Sequence, residues 1–359
     1  MKRDDCALAQ DVEPVREAFR FDEQRLAQWL RANVDDDAGS LRVSQFKGGQ
    51  SNPTYRVDTD RGSYVIRRKP PGDLLKGAHA IDREYRVLAA LQEADFPVPR
   101  VHALCLDRGV IGTEFYVMDR IEGRVFWNPR LPELAASERA AYFDAMNQTI
   151  ARLHSIDPAA IGLGDYGRTG AYLERQIARW SGQYRDDELA GRDPNMDRLV
   201  EWLPQHVPAG DETAISHGDF RCDNMIFHPT EPRVLAVLDW ELSTLGHPLA
   251  DFSYHTMMYR LPPSIMNGLL GEDLHSLGLP SEADYIAAYA KRTGRDGFPH
   301  YAFYIAFNMF RLAAILHGIK GRLLRGTASS AHAVEMAKNV EPLAQLAWQQ
   351  AEIAMREAG

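Results

Sequence analysis

Cysteine is scarce in this sequence, and no two cysteines are spaced as a pair. Cys6, Cys105 and Cys222 are scattered along the chain without a C-x-x-C, so neither a disulfide framework nor a zinc site is indicated and a reducing, cytoplasmic setting is expected. An apolar leader is lacking as well. The opening "MKRDDCALAQDVEPVREAF" has no continuous hydrophobic stretch, and its early acids argue against an arginine-rich transit peptide, so no export is expected. Excess positive charge is also missing: the net charge is -9, the wrong sign for gripping a phosphate backbone, and no nucleic-acid partner is expected. The most apolar long stretch, Tyr301 to Ile319, is interrupted by Asn308, Arg311 and His317, which reads as a buried helix and gives no expectation of a membrane partner. There is no internal repeat and no low-complexity tract.

What is present is a chain of 359 residues, 45% of them hydrophobic, enough for two domains or one large two-lobed unit. Residues 1–20 are polar and expected to be loose. Phe21, Asp22 and Leu26 fit a hydrophobic staple around an Asp N-cap, which opens a brace helix over 21–34. From Leu41 to Arg68 the pattern turns to strands, "LRVSQF", "TYRVDT" and "SYVIRR", with a turn at Asp60-Arg61-Gly62, an antiparallel meander. Ile81, Tyr85, Leu88 and Leu91 then share one helix face, "FPVPRV" stops that helix, and "FYVMDRIEG" supplies another strand. Beyond Gly123 the texture is helical, with three further helices expected between 281 and 357. The expected division is therefore an N-terminal lobe over 1–122 and a helical C-terminal lobe over 123–359.

Within the helical half, "SHGDFRCDNMIF" crowds His217, Asp219 and Asn224 ahead of an apolar run, and Asp239 ends the apolar strand "VLAVLD" twenty residues after Asp219. An Asp can accept a proton from an attacking hydroxyl. An amide oxygen and a second carboxylate are hard ligands suited to magnesium, which also takes phosphate oxygens. These are the minimum parts for phosphoryl transfer.

At these residues the sequence resembles the aminoglycoside and choline kinase-like phosphotransferases, which share the protein-kinase fold. "HGDFRCDN" is similar to their H-G-D-x-x-x-x-N catalytic loop, and "LDWE" to their counterpart of D-F-G. The resemblance implies Asp219 as base, Asn224 and Asp239 as magnesium ligands, and Asp251 of "GHPLADFSY" as a support of the catalytic loop. His217 takes an orienting role. Arg221 stands where protein kinases often carry a phosphate-contacting Lys, with a plain loop salt bridge as the alternative.

The resemblance runs from about Leu41 over nearly the whole chain, and with it comes an α+β fold with a small antiparallel-sheet lobe and a larger helical lobe. "FKGGQSNPTYRV" looks like the nucleotide-covering loop: Gly48 and Gly49 allow a sharp turn, and Ser51 and Asn52 offer donors to phosphates. The family's phosphate-binding Lys falls by register on Arg67, with Arg68 and Lys69 as competitors, and Glu84 resembles the helix Glu that pairs with this cation. Met118, Asp119 and Arg120 would present backbone groups to adenine.

The expected activity is transfer of the γ-phosphate of ATP, with magnesium, to a hydroxyl on a small molecule; GTP is left open as the nucleotide. The pattern is most similar to the phosphotransferase branch found fused to acyl-CoA dehydrogenases, which implies a hydroxyacyl-CoA or hydroxy-acid acceptor. The alternatives are an aminoglycoside or macrolide kinase, for which the acids of "GQYRDDELAGRDPNMD" are the candidate cluster, and a catalytically silent nucleotide-binding pseudokinase. Lys320, Arg322 and Arg325 could grip the phosphates of a coenzyme A moiety or merely complement a helix dipole.

Overall fold

A computed structural model of the chain describes residues 12–36, 39–47, 52–71, 80–327 and 333–358. Gly48, Gly49 and Ser51 of the expected nucleotide loop, like Cys6, lie outside the described residues. The chain divides into two compact units. The first takes in Met1–Trp127, Ala159–Leu163 and Cys222–Ser243; the second takes in Asn128–Pro158, Gly164–Arg221 and Thr244–Gly359.

In the first unit, strands β1 (Val12–Glu13), β2 (Arg42–Phe46), β3 (Thr54–Asp58), β4 (Ser63–Arg68), β5 (Val101–Cys105) and β6 (Phe115–Asp119) form one antiparallel sheet in the order β1-β2-β3-β4-β6-β5. Val12 and Glu13, in a stretch expected to be loose, pair with Phe46 and Gln45 at its edge. The registers Tyr55 with Ile66 and Ile66 with Val117 put these three apolar side chains on one face, because side chains alternate along a strand. Helix α1 (Glu23–Asn33) covers that face with Leu26 and Leu30, and a single turn, α3 (Arg108–Ile111), adds Ile111. The N–H groups of Gln24 and Arg25 donate to Asp22 Oδ1, at 3.0 and 3.1 Å, which is the expected N-cap. Across the sheet runs the other row, Val65 and Arg67 beside Met118 and Tyr116.

Helix α2 (Ile81–Glu93) buries Ile81, Val87, Leu88 and Leu91, and with them Glu84. A short ribbon, β8 (Met225–Phe227) paired with β9 (Val234–Val237), completes the described strands of this unit. It packs Ile226 and Ala236 with Val125 in a small apolar cluster. Gly123 lies so close to the ribbon that a Cβ there would sit 2.3 Å from the Phe227 carbonyl oxygen, a contact only glycine allows.

The second unit is helical. Helices α4 (Ala136–Ser155), α5 (Tyr172–Asp186), α6 (Pro194–Trp202), α7 (Pro248–Thr256), α8 (Glu282–Arg292), α9 (Tyr301–Leu324), α10 (Ala333–Lys338) and α11 (Val340–Ala358) surround one antiparallel ribbon, β7 (Ala214–Ser216) with β10 (Thr244–Gly246). Helix α9 is long and apolar enough to cross a membrane, and 89% of its apolar window is buried here. Helices α5, α7 and α11 pack on it, so it is the core helix of the unit. Its Asn308 Nδ2 donates to the Ala250 carbonyl and the Ser253 hydroxyl, at 2.9 and 2.8 Å, which satisfies the amide nitrogen of one of the polar side chains that break its apolar run. Among the described residues four helices, rather than three, lie between 281 and 357, because a turn at Asn339 separates α10 from α11.

Candidate active site

The two adjacent arginines of β4 point to opposite faces of the sheet, and their environments separate their roles. Arg68 joins the apolar face: it is 2% exposed, donates to the Ile111 carbonyl at 3.1 Å and lies 5.2 and 5.6 Å from the ring centres of Phe21 and Tyr55. Lys69 pairs with Glu114 at 3.0 Å. Arg67 alone of the three meets Glu84, with Nε 2.7 Å from Oε2, while its Nη2 lies 2.7 Å from Asp239 Oδ1 and 3.4 Å from Glu241 Oε2.

Burial opposes the Arg67 charge, but Glu84, the Tyr116 hydroxyl, Asp239 and Glu241 outweigh it and raise the guanidinium above its usual range. Burial likewise pushes the Glu84 carboxyl above the usual carboxylate range, and Arg67 pulls it back only in part. Glu84 is the hub of this cluster. Asn52 Nδ2 donates to its Oε1 at 2.8 Å, and the Tyr116 hydroxyl donates to its Oε2 at 3.2 Å. Asn52 was expected to offer its donors to phosphates. Its side chain is instead fully buried against Glu84, where it supports the acid that holds the cation.

Asn224 and Asp239 are brought to one end of the β8–β9 ribbon. Met225 pairs with Val237, and the Leu238 N–H donates to the Asn224 carbonyl at 2.8 Å, so Asp239 follows directly on the residue opposite Asn224. Asp239 has φ +66°, a left-handed conformation that Asp tolerates better than bulkier residues and that recurs at functional sites. The turn beyond it is pinned by Trp240, 2% exposed, whose Nε1 donates to the Val237 carbonyl at 2.9 Å.

Among the described residues no three or more His, Cys, Asp or Glu gather into a metal-holding group. One carboxylate with one amide oxygen nevertheless fits magnesium, which takes one or two protein ligands and fills the rest with water and phosphate oxygens. At the end of β6, Met118 is buried, the Asp119 N–H donates to the Arg100 carbonyl at 2.8 Å, and Arg120 reaches Glu122 at 2.6 Å. The Asp119 N–H is therefore engaged within the protein, which narrows the expected backbone contacts to adenine.

The loop that carries His217, Asp219 and Arg221 follows β7 in the second unit, and the chain passes into the first between Arg221 and Cys222. Asp251, near the start of α7, accepts from the N–H groups of His217 and Gly218, both at 2.8 Å. Gly218 has φ +84°, which a Cβ would strain. His154 Nε2 lies 3.2 Å from Asp251 Oδ2. Burial would raise the Asp251 carboxyl, but His154, His217 and the Gly218 N–H hold it below the usual range. His217 is fully buried, and its Nδ1 accepts from the Asp219 N–H at 3.2 Å.

Arg221 Nε lies 3.4 Å from Asp219 Oδ1. Two residues to which the sequence motifs assign no role also reach this loop: Tyr254, whose hydroxyl donates to the same Oδ1 at 2.6 Å, and Arg311, which donates to the Gly218 carbonyl at 3.0 Å. Tyr254 stands one turn after Asp251 on α7. That i, i+3 spacing is the only trace it leaves in the sequence.

Several candidate charges are engaged within the unit. Arg325 makes two bonds of 2.8 Å to Asp187, Arg192 pairs with Asp197 at 2.6 Å, and Asp193 caps α6. These acids belong to the segment considered as a polycation site, and Arg325 belongs to the trio considered as a phosphate grip.

The profile of the phosphotransferase enzyme family matches residues 42–307. Acyl-CoA dehydrogenase family member 10 of Mus musculus is 44% identical over 341 residues, which cover 94% of this chain and 32% of that protein. The chain spans from about a third to under half of the length of such curated relatives. A crystal structure from Ralstonia eutropha JMP134, provisionally named an aminoglycoside phosphotransferase, is 50% identical at a TM-score of 0.85 and covers 93% of this chain and 99% of that one. Spectinomycin phosphotransferase in complex with ADP and spectinomycin has a TM-score of 0.59 at 12% identity, covering 91% of this chain and 98% of its own, a likeness of fold. From the family match over most of its length and these likenesses, the chain belongs to the phosphotransferase enzyme family and has its protein-kinase-like α+β fold.

Proposed function

We propose that this protein moves the γ-phosphate of ATP to a hydroxyl of a small molecule. The observation that carries the nucleotide reading is Arg67, buried and held by Glu84 while its far nitrogen reaches Asp239. A guanidinium fixed at one end and facing an acid at the other is a preorganised phosphate clamp, and its planar fork suits phosphate oxygens. The loop of Gly48, Gly49 and Ser51 would cover the phosphates, and backbone groups of Met118 to Arg120 other than the Asp119 N–H would meet adenine. Asn224 and Asp239 would hold magnesium, which when bound neutralises charge on the transferring phosphoryl group. Asp219 orients the acceptor hydroxyl and takes its proton, while Arg221 adds positive charge beside it.

For the acceptor we favour a hydroxyacyl-CoA or hydroxy acid. The support is the relatives' own name, acyl-CoA dehydrogenase family, together with the pairing of acids that an aminoglycoside would need. The antibiotic-kinase reading draws on the name of the Ralstonia eutropha relative. A panel of hydroxyacyl-CoA thioesters, free hydroxy acids, aminoglycosides, macrolides and choline tests both, each scored for magnesium-dependent ADP release above the rate without acceptor, with ATP and GTP in parallel. Release with a hydroxyacyl compound is the expected result. Release with an aminoglycoside alone overturns the acyl reading, and tight nucleotide binding with no release on any acceptor favours a silent module.

A further inference from the structure

We propose that Tyr254 is a positioning residue for the base: its phenol fixes the Asp219 carboxylate in the orientation in which it takes the acceptor's proton. This rests on the reading of Asp219 as base. The contact is short, 2.6 Å from the Tyr254 hydroxyl to Oδ1, and the ring that makes it is only 8% exposed. The ring is also held in place. Its helix is tied to the loop backbone through Asp251, which accepts from His217 and Gly218. The Arg311 guanidinium lies 5.4 Å from the ring centre while donating to the Gly218 carbonyl. Tyr254 and Asp219 are thus held by the same braces, and the carboxylate cannot turn without losing this short hydrogen bond.

Oδ1 accepts the phenolic O–H and faces Arg221 at 3.4 Å, which sets the plane of the carboxylate. In the transfer step the acceptor O–H breaks as an O–H forms on the Asp219 carboxylate, the acceptor oxygen bonds to the γ-phosphorus, the bond from that phosphorus to the bridging oxygen breaks, and ADP leaves. Burial and the Asp219 carboxylate raise the phenol above its usual range, so it remains a donor at working pH.

The test compares the unmodified protein, Tyr254→Phe and protein carrying 3-fluorotyrosine at position 254. The rate is ADP release from magnesium-ATP with water, and separately 3-hydroxybutyryl-CoA, as acceptor, from pH 4.5 to 8.5. Activity recovered on return to pH 7.5 separates titration from unfolding. Tyr254→Phe is expected to move the acid limb of kcat upward by about one pH unit, the scale of a lost hydrogen bond to a charged group. It should also lower the plateau roughly tenfold, a fraction of what a general base supplies, with the KM for ATP unchanged. The fluorinated phenol, a stronger donor, should move the limb downward. An acid limb unmoved in both proteins overturns the proposal. Asp219→Asn is run beside them. Full turnover in that variant refutes the base assignment itself, whereas an inactive Asp219→Asn with an unaffected Tyr254→Phe refutes only the role of Tyr254.

Discussion

Replacing Glu84 by Ala removes the centre of a buried polar cluster, and the structure allows the loss to be sized. Asn52 Nδ2 and the Tyr116 hydroxyl lose acceptors at 2.8 and 3.2 Å, both in surroundings almost closed to water. Each buried donor that loses its acceptor costs about 1–3 kcal/mol. Breaking a buried ion pair from one side costs about 3–5 kcal/mol when the remaining charge is uncompensated. Arg67 is not left so, because Asp239 and Glu241 stay within 2.7 and 3.4 Å of its Nη2. The total should therefore be near 4 kcal/mol, about 10 °C in the melting temperature of a unit of this size. Glu84→Gln, which keeps an oxygen for Asn52 but loses the charge, should fall about half as far. Scanning calorimetry of the whole chain reads both. A melting temperature within about 2 °C of the unmodified protein for Glu84→Ala would refute the idea that this cluster is closed to water and mutually dependent.

Three further expectations follow from the site. Asp239→Ala should weaken ATP binding in the presence of magnesium far more than binding of metal-free nucleotide, read by titration calorimetry; equal losses would remove Asp239 as a metal ligand. Asp251 titrates below its unfolded value, so its share of stability is present above the ordinary Asp range and lost as pH falls through the depressed value. The urea midpoint of the unmodified protein should accordingly drop more steeply from pH 5 to 3 than that of Asp251→Asn. Burial holds the His255 imidazole down to about 4, between the Phe220 carbonyl and the Tyr285 hydroxyl. Its stabilising share is therefore complete above pH 6.5 and lost toward pH 4, and its ring proton signals should not titrate between pH 7 and 5; a midpoint near 6.5 would contradict that burial.

Local signals in the sequence are legible where one residue type decides the structure. Asp22 caps α1 as its place before "EQRL" implies, and Phe21 packs on the cluster that contains Leu26. The alternating "SYVIRR" becomes β4, whose alternation then separates Arg67 from Arg68, a choice that sequence register alone left open. Other features depend on packing that no local pattern records. "FPVPRV" reads as a helix stop, yet Val101 goes on into β5 because β6 is there to pair with it. Asn52 looks like a phosphate donor until Glu84, 32 residues later, claims its amide. The link between Tyr254 and Asp219 also spans 35 residues and requires α7 to be docked against the loop. The acceptor is the least legible part, because charges that look available in the sequence, Arg325 and Asp187 among them, are paired with each other in the fold.

Single-turnover transfer from magnesium-ATP in the unmodified protein and in Asp219→Asn, with nucleotide affinity measured on the same samples, tests the central claim most directly. The substitution is nearly isosteric and removes the proton acceptor. A fall in transfer on the order of 10²-fold or more with ATP affinity unchanged is predicted, and transfer at close to the unmodified rate would contradict the account.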